Sequence, residues 1–323
     1  MRRRDLCTAL AISAGLPLVR VAAEARIYRV GVLETVSTTS VATSREALRR
    51  GLQEQGYLEE QNLVFEYRSA DGHVGRLPGG VNELLGWGAD VLVTAGTQAS
   101  RAAATATAVI PIVLVGVSNP ASIINHAGSS RGNITGLSLT SHQLIVDRLQ
   151  LLKELSPSLR RIAIVVRDDG NLADAVTDII SSARQLGFAT VMYEITTGKT
   201  IELTFSHLLN EHCEAVYVAS GPLGPAKRAE ILALAAEARL PAVYSYREFA
   251  VGGGLMSLAA DEVDLFRRAA GLVDRILKGQ RPVDIPIEEP SKFGLVVNLK
   301  AARELGVPLP PALIARADEV IDD

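Results

Sequence analysis

The chain repeats one order of hydrophobic and polar segments twice. Continuous apolar runs such as 91–96 and 162–166 alternate with segments that carry Ala, Leu, Glu and Arg at helical spacing, such as 44–56. Strands that are apolar along their whole length are buried on both faces of a sheet. The pattern therefore predicts an α/β protein with two doubly wound parallel-sheet lobes, one beginning near Arg26 and the other near Arg160.

Two glycines occupy corresponding places in the repeat. Gly56 and Gly187 each follow a helical segment and each precede an aromatic residue. This arrangement is typical of a helix that ends in a left-handed residue. We therefore predict left-handed backbone at both positions.

The chain continues past the second repeat, so its last part has to rejoin the two lobes. We expect lobe 1 to comprise residues 24–139 with about 252–281 returning to it, and lobe 2 to comprise 140–251 with about 282–323 returning to it. Three successive glycines at 252–254 predict a crossing or hinge between the lobes.

The first 23 residues have the pattern of an export signal. Arginines at positions 2–4 precede a short apolar stretch at 6–21, and small residues follow at 21–25. Such a segment is removed after export, and the paired arginines leave both the general secretory and the twin-arginine routes open. We expect a signal peptide at 1–23 and a mature protein in the periplasm.

Composition narrows the class of protein further. The 323 residues are 48% hydrophobic, enough for two cores of about 100–150 residues each. The net charge is −3 without a long run of one sign, which argues against a nucleic-acid partner. Cys7 lies in the predicted signal peptide, so Cys213 has no partner in the mature chain and no internal disulfide is expected.

Short polar residues follow the predicted strands. In open parallel sheets, ligands bind beyond the carboxyl ends of the strands. The helices that start there present free N–H groups and a positive dipole end, which suit a carboxylate or another anion. The predicted ligand-binding residues are Thr35, Ser37, Gly96, Thr97, Ser118, Asn119, Asp168, Ser220, Tyr244 and Tyr246.

Several of these residues have a purely structural explanation as well. Asn119 stands before Pro120 and is predicted to cap a helix, while Thr97 and the cluster at 37–40 can cap helices of their own. Such hydroxyls most often serve only as caps. Their common position at the mouth of both sheets favours a ligand site.

The two tyrosines and the aspartate leave alternatives open. Tyr244 and Tyr246 lie two residues apart, hence on one face of a strand, where they flank a ligand or pack in the core. Asp168 pairs with a ligand amine or lies in a solvated turn.

Signatures of catalysis and metal binding are absent from the sequence. It contains no G-x-G-x-x-G after a strand, no P-loop, no G-x-S-x-G and no H-E-x-x-H. His207 and His212 lie five positions apart, which a helix does not place well on one face, so they predict no metal site with Glu211 and Cys213. No catalytic residue, metal or cofactor is expected.

Longer segments resemble a known family. They include GLQEQGYLEEQNLVFEYRSADG, GTQAS, IPIVLVGVSNP, GNITGLS, YREFAVGGGLMS and LKGQRPVDIPIEEPSKFGLVVNLKAARELG. Taken in order over nearly the whole chain, they resemble the ABC-transporter substrate-binding proteins of the tryptophan/tyrosine-type group. The resemblance implies a type I periplasmic binding fold that closes on a small solute and delivers it to an ABC permease in the inner membrane.

The resemblance also marks ligand-side positions. Thr97, Ser118, Asn119 and the loop around Asp168 match ligand-side segments of the family. Members of the family commonly have Asp-Pro where this chain has Asn119-Pro120, and an Asn-Pro-rich loop where it has RDDGN. The family's amino-acid specificity is therefore not carried over.

These observations lead to one hypothesis and two alternatives. We expect a monomeric periplasmic solute-binding component of an ABC importer that holds a small carboxylate-bearing solute, such as an amino acid, in the cleft between the lobes. The alternatives use the same cleft. One is an exported enzyme with Asp168 or Glu34 as acid or base, and the other is a ligand-sensing module that contacts a membrane sensor.

Overall fold

The computed structural model describes residues 26–35, 39–126, 132–167, 173–195, 201–219 and 225–322. Strands and helices alternate from the first described residues onward, as the repeat predicts. The first lobe contains, in chain order, β1 (Tyr28–Glu34), α1 (Thr39–Glu54), β2 (Leu63–Ser69), α2 (Leu77–Trp87), β3 (Val91–Ala95), α3 (Thr97–Ala106), β4 (Ile112–Val117), α4 (Pro120–His126) and β5 (Ile134–Ser138).

The second lobe follows the same order of elements. It contains α5 (His142–Leu155), β6 (Arg161–Arg167), α6 (Ala173–Gln185), β7 (Ala189–Ile195), α7 (Ile201–Asn210), β8 (Ala215–Val218), α8 (Pro225–Glu237), β9 (Ala242–Tyr244), α9 (Arg247–Val251) and β10 (Met256–Ala260). The remaining elements are α10 (Glu262–Leu277), β11 (Phe293–Asn298), α11 (Leu299–Leu305), α12 (Pro311–Ala315) and β12 (Glu319–Ile321).

The strands form two separate sheets. The first has five parallel strands in the order β2-β1-β3-β4-β5, and the second has seven in the order β12-β11-β10-β9-β8-β6-β7. Neighbours in the second sheet are parallel except β10 and β11, which run antiparallel. The prediction of an α/β protein with two parallel-sheet lobes is confirmed.

Each sheet is covered by helices on both faces, because its strands are apolar on both faces. In the first lobe, one face packs against α1 and α10 and the other against α2, α3 and α4. In the second lobe, α5, α6, α11 and α12 cover one face, and α7, α8 and α9 cover the other. Each sheet therefore lies between two apolar layers of helices.

The chain passes between the two sheets at three places. It leaves the first sheet at 139–141, returns at Asp261 between β10 and α10, and crosses again at 289–292 before β11. Before that last crossing it runs along β5, where Ser138 donates its backbone N–H to the Glu288 carbonyl at 2.8 Å. Three passages of the chain therefore join the two sheets.

The segment 252–281 is divided between the lobes, which differs from the prediction that it returns to lobe 1 as one piece. Its strand β10 pairs with β9 and β11 in the second sheet, and only α10 packs on the first sheet. The return therefore begins at Asp261. Sequence could not locate it, because a buried strand fits either sheet equally well.

The glycines at 252–254 are not a crossing, so that prediction is wrong. They form the turn between α9 and β10 inside the second lobe. A methyl group on Gly254 would lie 2.5 Å from the Tyr244 ring and 2.9 Å from the Phe249 carbonyl. Glycine is needed there because the backbone passes directly against an aromatic pair.

The predicted left-handed helix ends are confirmed. Gly56 has a φ of +90° and Gly187 a φ of +78°. The next aromatic residue in each case, Tyr57 or Phe188, is buried in the core of its lobe. The repeat in the sequence therefore reflects one local structure used twice.

Helices α1 and α10 approach each other closely at Gly51. A methyl group on Gly51 would lie 2.6 Å from the Ala270 Cβ and 2.9 Å from the Arg267 carbonyl oxygen. Buried apolar residues on both sides, such as Leu48 and Phe266, complete the contact. This contact fastens the returning helix to the first lobe.

Replacing Gly51 by alanine is expected to force the two helices apart. Because one of the obstructing atoms belongs to the backbone, we expect Gly51→Ala to lower the free energy of unfolding by about 1–3 kcal/mol. Gly271→Ala is the matched control, since Gly271 lies on α10 with no atom within 4 Å of its added methyl. The control should gain up to about 1 kcal/mol of stability from helix propensity. Urea titration of both variants tests this, and equal stabilities would contradict it.

Candidate functional site

The carboxyl ends of β1, β3 and β4 lie side by side in the first sheet. Thr35 follows β1, and its Oγ1 donates a hydrogen bond to the Ala95 carbonyl at 3.4 Å. Gly96 follows β3 with a φ of +82°, and a methyl group on it would lie 3.8 Å from Thr35 Oγ1. The structure therefore brings these two predicted residues together.

Two helices begin at the same edge of the first sheet. Helix α3 begins at Thr97 and its cap residue is Gly96, so the prediction that Thr97 caps its own helix is wrong. Asn119 is a cap as predicted, because its Oδ1 accepts a hydrogen bond from the Ser122 backbone N–H at 3.1 Å, with Pro120 as the first residue of α4. Gly96 has no side chain that could cap the first turn of α3, so the start of this helix presents backbone N–H groups at the edge of the cleft.

Tyr246 connects the two lobes across this edge. It follows β9 of the second sheet, and its side chain packs against buried residues of both lobes. Burial raises the pKa of its hydroxyl well above its usual range, and Ser118, which follows β4 of the first sheet, lies close enough to this hydroxyl to oppose that rise. The predicted residues Ser118 and Tyr246 therefore face each other between the lobes.

Tyr244 does not reach the cleft. It is 1% exposed, lies in the core of the second lobe and stacks on Phe249 with ring centroids 4.8 Å apart. Strand β9 ends at Tyr244, and the chain turns into α9 at Tyr246. The two tyrosines therefore do not share one strand face, and core packing explains Tyr244.

Three other predicted site residues lie outside the described residues. They are Ser37, Asp168 and Ser220, which follow β1, β6 and β8. Their participation in a ligand site stays a prediction.

Glu34 at the end of β1 is held in an ion pair. Its carboxylate is 1% exposed and accepts a hydrogen bond from Arg45 Nε at 3.0 Å, in a bidentate contact with the guanidinium. Arg45 also lies over the Tyr67 ring, 4.9 Å from its centroid. Burial raises the pKa of Glu34, and the hydrogen bond from Arg45 opposes this rise. The pair fastens α1 to β1 beside the cleft.

Removing the guanidinium is expected to leave Glu34 buried without a counter-charge. Arg45→Met should lower the free energy of unfolding at neutral pH by about 3 kcal/mol. The cost should shrink in acid, where Glu34 takes up a proton, and Glu34→Gln in the same chain should restore part of the loss. Arg50→Met serves as control, because Arg50 lies on the same helix with 72% of its side chain exposed. Denaturant titrations at two pH values measure the effect, and a loss as small as that of the control would refute it.

A cavity of about 550 Å³ extends from Tyr246 to the three crossings. This volume is in the range of pockets that hold small molecules. Both lobes contribute to its wall, since Thr43 and Ser44 lie on α1. Its residues are Thr43, Ser44, Leu139, Ser245, Tyr246, Arg247, Glu248, Ala259, Ala260, Asp261, Glu262, Val263, Phe293, Gly294, Val296, Asp318 and Glu319.

Glu262 is a carboxyl group of this cavity with a strongly shifted pKa. Burial, together with the negative charges of Glu248 and Asp261, raises its pKa to about 7. A carboxyl group with such a pKa is partly protonated at neutral pH. Groups with shifted pKa values in a cleft are typical of functional sites.

Glu262 should make stability depend on pH in a defined window. Its pKa rises from 4.5 to about 7 on folding, so between these values the folded chain binds more protons and loses stability as pH increases. Glu262→Gln removes this loss and should stabilise the protein at pH 8 by on the order of 2 kcal/mol, with little effect at pH 4. Glu237→Gln, at an exposed position of α8, should change nothing. Thermal melts at pH 4 and pH 8 test this prediction. Equal effects of Glu262→Gln at both pH values would contradict the raised pKa of Glu262.

Sequence reasoning missed the acidic wall of the cavity. Asp261 and Glu262 stand at the start of a helical segment, where acids are common for reasons of capping. Asp261 does cap α10, accepting a hydrogen bond from the Asp264 backbone N–H at 3.1 Å. Both residues directly follow a predicted strand, which is the position that indicates a site residue. Because that strand was expected to belong to lobe 1, this indication was missed.

Comparisons with known proteins agree with this geometry. The family model described as ABC transporter substrate binding protein matches residues 29–321. A tyrosine-binding protein from Clostridioides difficile (strain R20291) is 22% identical over 273 residues, which are 83% of this chain and 78% of that protein. The chain belongs to the family of ABC transporter substrate-binding proteins.

Solved structures share the fold. An ABC domain from Streptococcus pneumoniae in complex with L-Trp is 23% identical with a TM-score of 0.77, covering 91% of this chain and all of that one. A conserved domain protein from Vibrio cholerae is 24% identical with a TM-score of 0.78 and the same coverage. The fold is the type I periplasmic binding fold, as the sequence predicts.

Two properties of the described residues concern contact with a membrane and with a metal ion. None of the helices there combines the length and apolar character that a membrane crossing requires. Within the same residues, no three or more histidine, cysteine or acidic side chains are grouped so that they could hold a metal ion.

Proposed function

We propose that this protein is the solute-binding component of an ABC importer and that its ligand is a small carboxylate-bearing solute such as an amino acid. The observation that carries the proposal is the contact between Ser118 and Tyr246, which places the helix starts of the first lobe opposite the second lobe across one cleft. The tyrosine named for one relative and the L-Trp bound in a structural neighbour support the ligand class.

The first-lobe edge suits the carboxylate of such a solute. The first turn of α3 supplies backbone N–H groups, and Thr97 and Ser118 supply hydroxyl groups beside it, whereas Thr35 donates its hydroxyl proton to the Ala95 carbonyl. Hydrogen bonds to a charged group contribute more than those between neutral groups. The carboxylate is therefore bound by the first lobe, and the rest of the solute extends toward Tyr246.

Closure follows from the three crossings. A ligand that contacts both lobes stabilises the closed arrangement over the open one by those additional contacts. An ABC permease in the inner membrane then receives the protein in its closed form, and the permease's ATPase supplies the energy for transport. The mature protein acts in the periplasm after removal of residues 1–23, as a monomer and without a catalytic step. Glu34 is paired with Arg45, which does not favour the alternative in which it serves as acid or base.

A binding screen tests the function. Calorimetry and thermal shift with L-tyrosine, L-tryptophan, L-leucine, 4-hydroxybenzoate and glucose should show binding of at least one carboxylate and none of glucose. Thr97→Val and Ser118→Ala should each weaken that binding about tenfold, the effect of one lost hydrogen bond to a charged group. Thr105→Val, at an exposed position near the other end of α3, is the control and should bind normally.

Two outcomes would contradict the proposal. One is folded protein that binds no carboxylate of the panel. The other is binding that neither Thr97→Val nor Ser118→Ala weakens, because the ligand then lies elsewhere.

A further inference from the structure

Helix α5 carries a charged side chain on its buried face. Arg148 is 3% exposed, whereas every other buried residue of this helix is a leucine or an isoleucine. Its hydrogen-bond partners are neutral oxygen atoms, and no carboxylate of the described residues forms an ion pair with it. A buried charge without a counter-charge lowers the stability of a fold. Packing alone therefore does not account for an arginine at this position.

The guanidinium group of Arg148 links three neighbouring strands of the second sheet. Its Nε donates a hydrogen bond to the Leu258 carbonyl of β10 at 2.7 Å. Its Nη1 donates to the Tyr217 hydroxyl of β8 at 3.2 Å, and its Nη2 donates to the Ser245 carbonyl at 3.4 Å. Ser245 directly follows β9, which lies between β10 and β8 in the sheet. One side chain therefore contacts all three strands or their continuations.

The contact with Ser245 bears on the position of Tyr246. The Ser245 carbonyl and the Tyr246 N–H belong to one planar peptide unit, and β9 ends before this unit. The carbonyl of the unit accepts the hydrogen bond from Arg148, while Ser245 donates its own N–H to the Val218 carbonyl at 3.1 Å. The guanidinium group therefore helps to fix the peptide unit from which the Tyr246 side chain extends.

The charge of Arg148 also acts on the Tyr246 hydroxyl. Burial and the negative charge of Glu262 raise the pKa of this hydroxyl, whereas Ser118 and the positive charge of Arg148 oppose the rise. A cation near a hydroxyl group favours the loss of its proton. Arg148 therefore makes the Tyr246 hydroxyl a better hydrogen-bond donor at the place where the two lobes meet.

We propose that Arg148 is a positioning residue of the ligand cleft that acts through Tyr246. It fixes the Tyr246 side chain opposite Ser118 and makes its hydroxyl the donor that the second lobe offers to an acceptor atom of the solute. The inference rests on the proposed function and adds to it how the second lobe binds. Arg148 itself does not touch the solute, because protein atoms enclose its side chain.

A double-mutant cycle tests whether Arg148 acts through Tyr246. The probe is the compound among L-tyrosine, L-tryptophan, L-leucine and 4-hydroxybenzoate that binds most tightly in calorimetry. Arg148→Met and Tyr246→Phe should each weaken its binding about tenfold, the effect of one lost hydrogen bond to a charged group. The double variant should bind within twofold of Tyr246→Phe alone, since residues that act as one unit have non-additive effects. A purely structural arginine would not show this coupling.

Two further variants complete the design. Arg148→Lys keeps the positive charge but not the planar fork of donors, so it should weaken binding about threefold, and only while the Tyr246 hydroxyl is present. It takes the place of Arg148→Met in the cycle if that variant does not fold. Arg184→Met removes a positive charge from an exposed position of α6 in the same lobe and should bind normally. Melting curves of all variants report their folding.

The possible results separate this inference from the function on which it rests. If the folded protein binds none of the four probes, the proposed function fails and this inference with it. If a probe binds but Tyr246→Phe does not weaken its binding, this inference alone is overturned. The same holds if the Arg148 variant binds normally, if it weakens binding by the same factor with and without the Tyr246 hydroxyl, or if Arg184→Met has an equal effect.

Discussion

The close packing of α1 and α10 is the contact on which the arrangement of the molecule depends. Helix α10 follows the second crossing, and its packing against Gly51 and Leu48 of α1 and against the first sheet returns the chain to the first lobe. Because the contact lies in a buried apolar layer, it also fixes where the crossing begins. Asp261 and Glu262 are thereby held next to Thr43 and Ser44 of the first lobe, in the wall of the cavity. The position of this cavity wall therefore depends on one helix pair.

The carboxyl edge of the first sheet and the wall of the cavity form two ends of opposite polarity around Tyr246. The first-lobe edge presents the first turn of α3 and the hydroxyls that follow β1 and β4, whereas the wall near the crossings presents carboxylates. Tyr246 stands between these ends and touches both lobes. The raised pKa of Glu262 is the electrostatic cost of keeping the acidic end desolvated and unpaired.

Local features of the fold and part of the site were predictable from the sequence. Gly56 and Gly187 end their helices in left-handed backbone, and Asn119 caps α4, because each depends on neighbours within a few residues. Thr97 was predicted at the right edge, although the cap position belongs to Gly96. Tyr244 was placed in the cleft by its spacing from Tyr246, which fails because the strand ends between them. Spacing predicts a common face only while one element continues.

The sequence by itself determined that there are two α/β lobes, where their strands and helices lie, and which polar residues follow the strands. These properties depend on apolar runs and on turn residues, which act over short stretches of chain. Only the tertiary structure decided that β10 joins the second sheet, that 252–254 is an internal turn, and that Glu248, Glu262 and Ser245 share one wall. Their proximity results from packing between segments far apart in the chain, and no local pattern specifies which buried strand pairs with which.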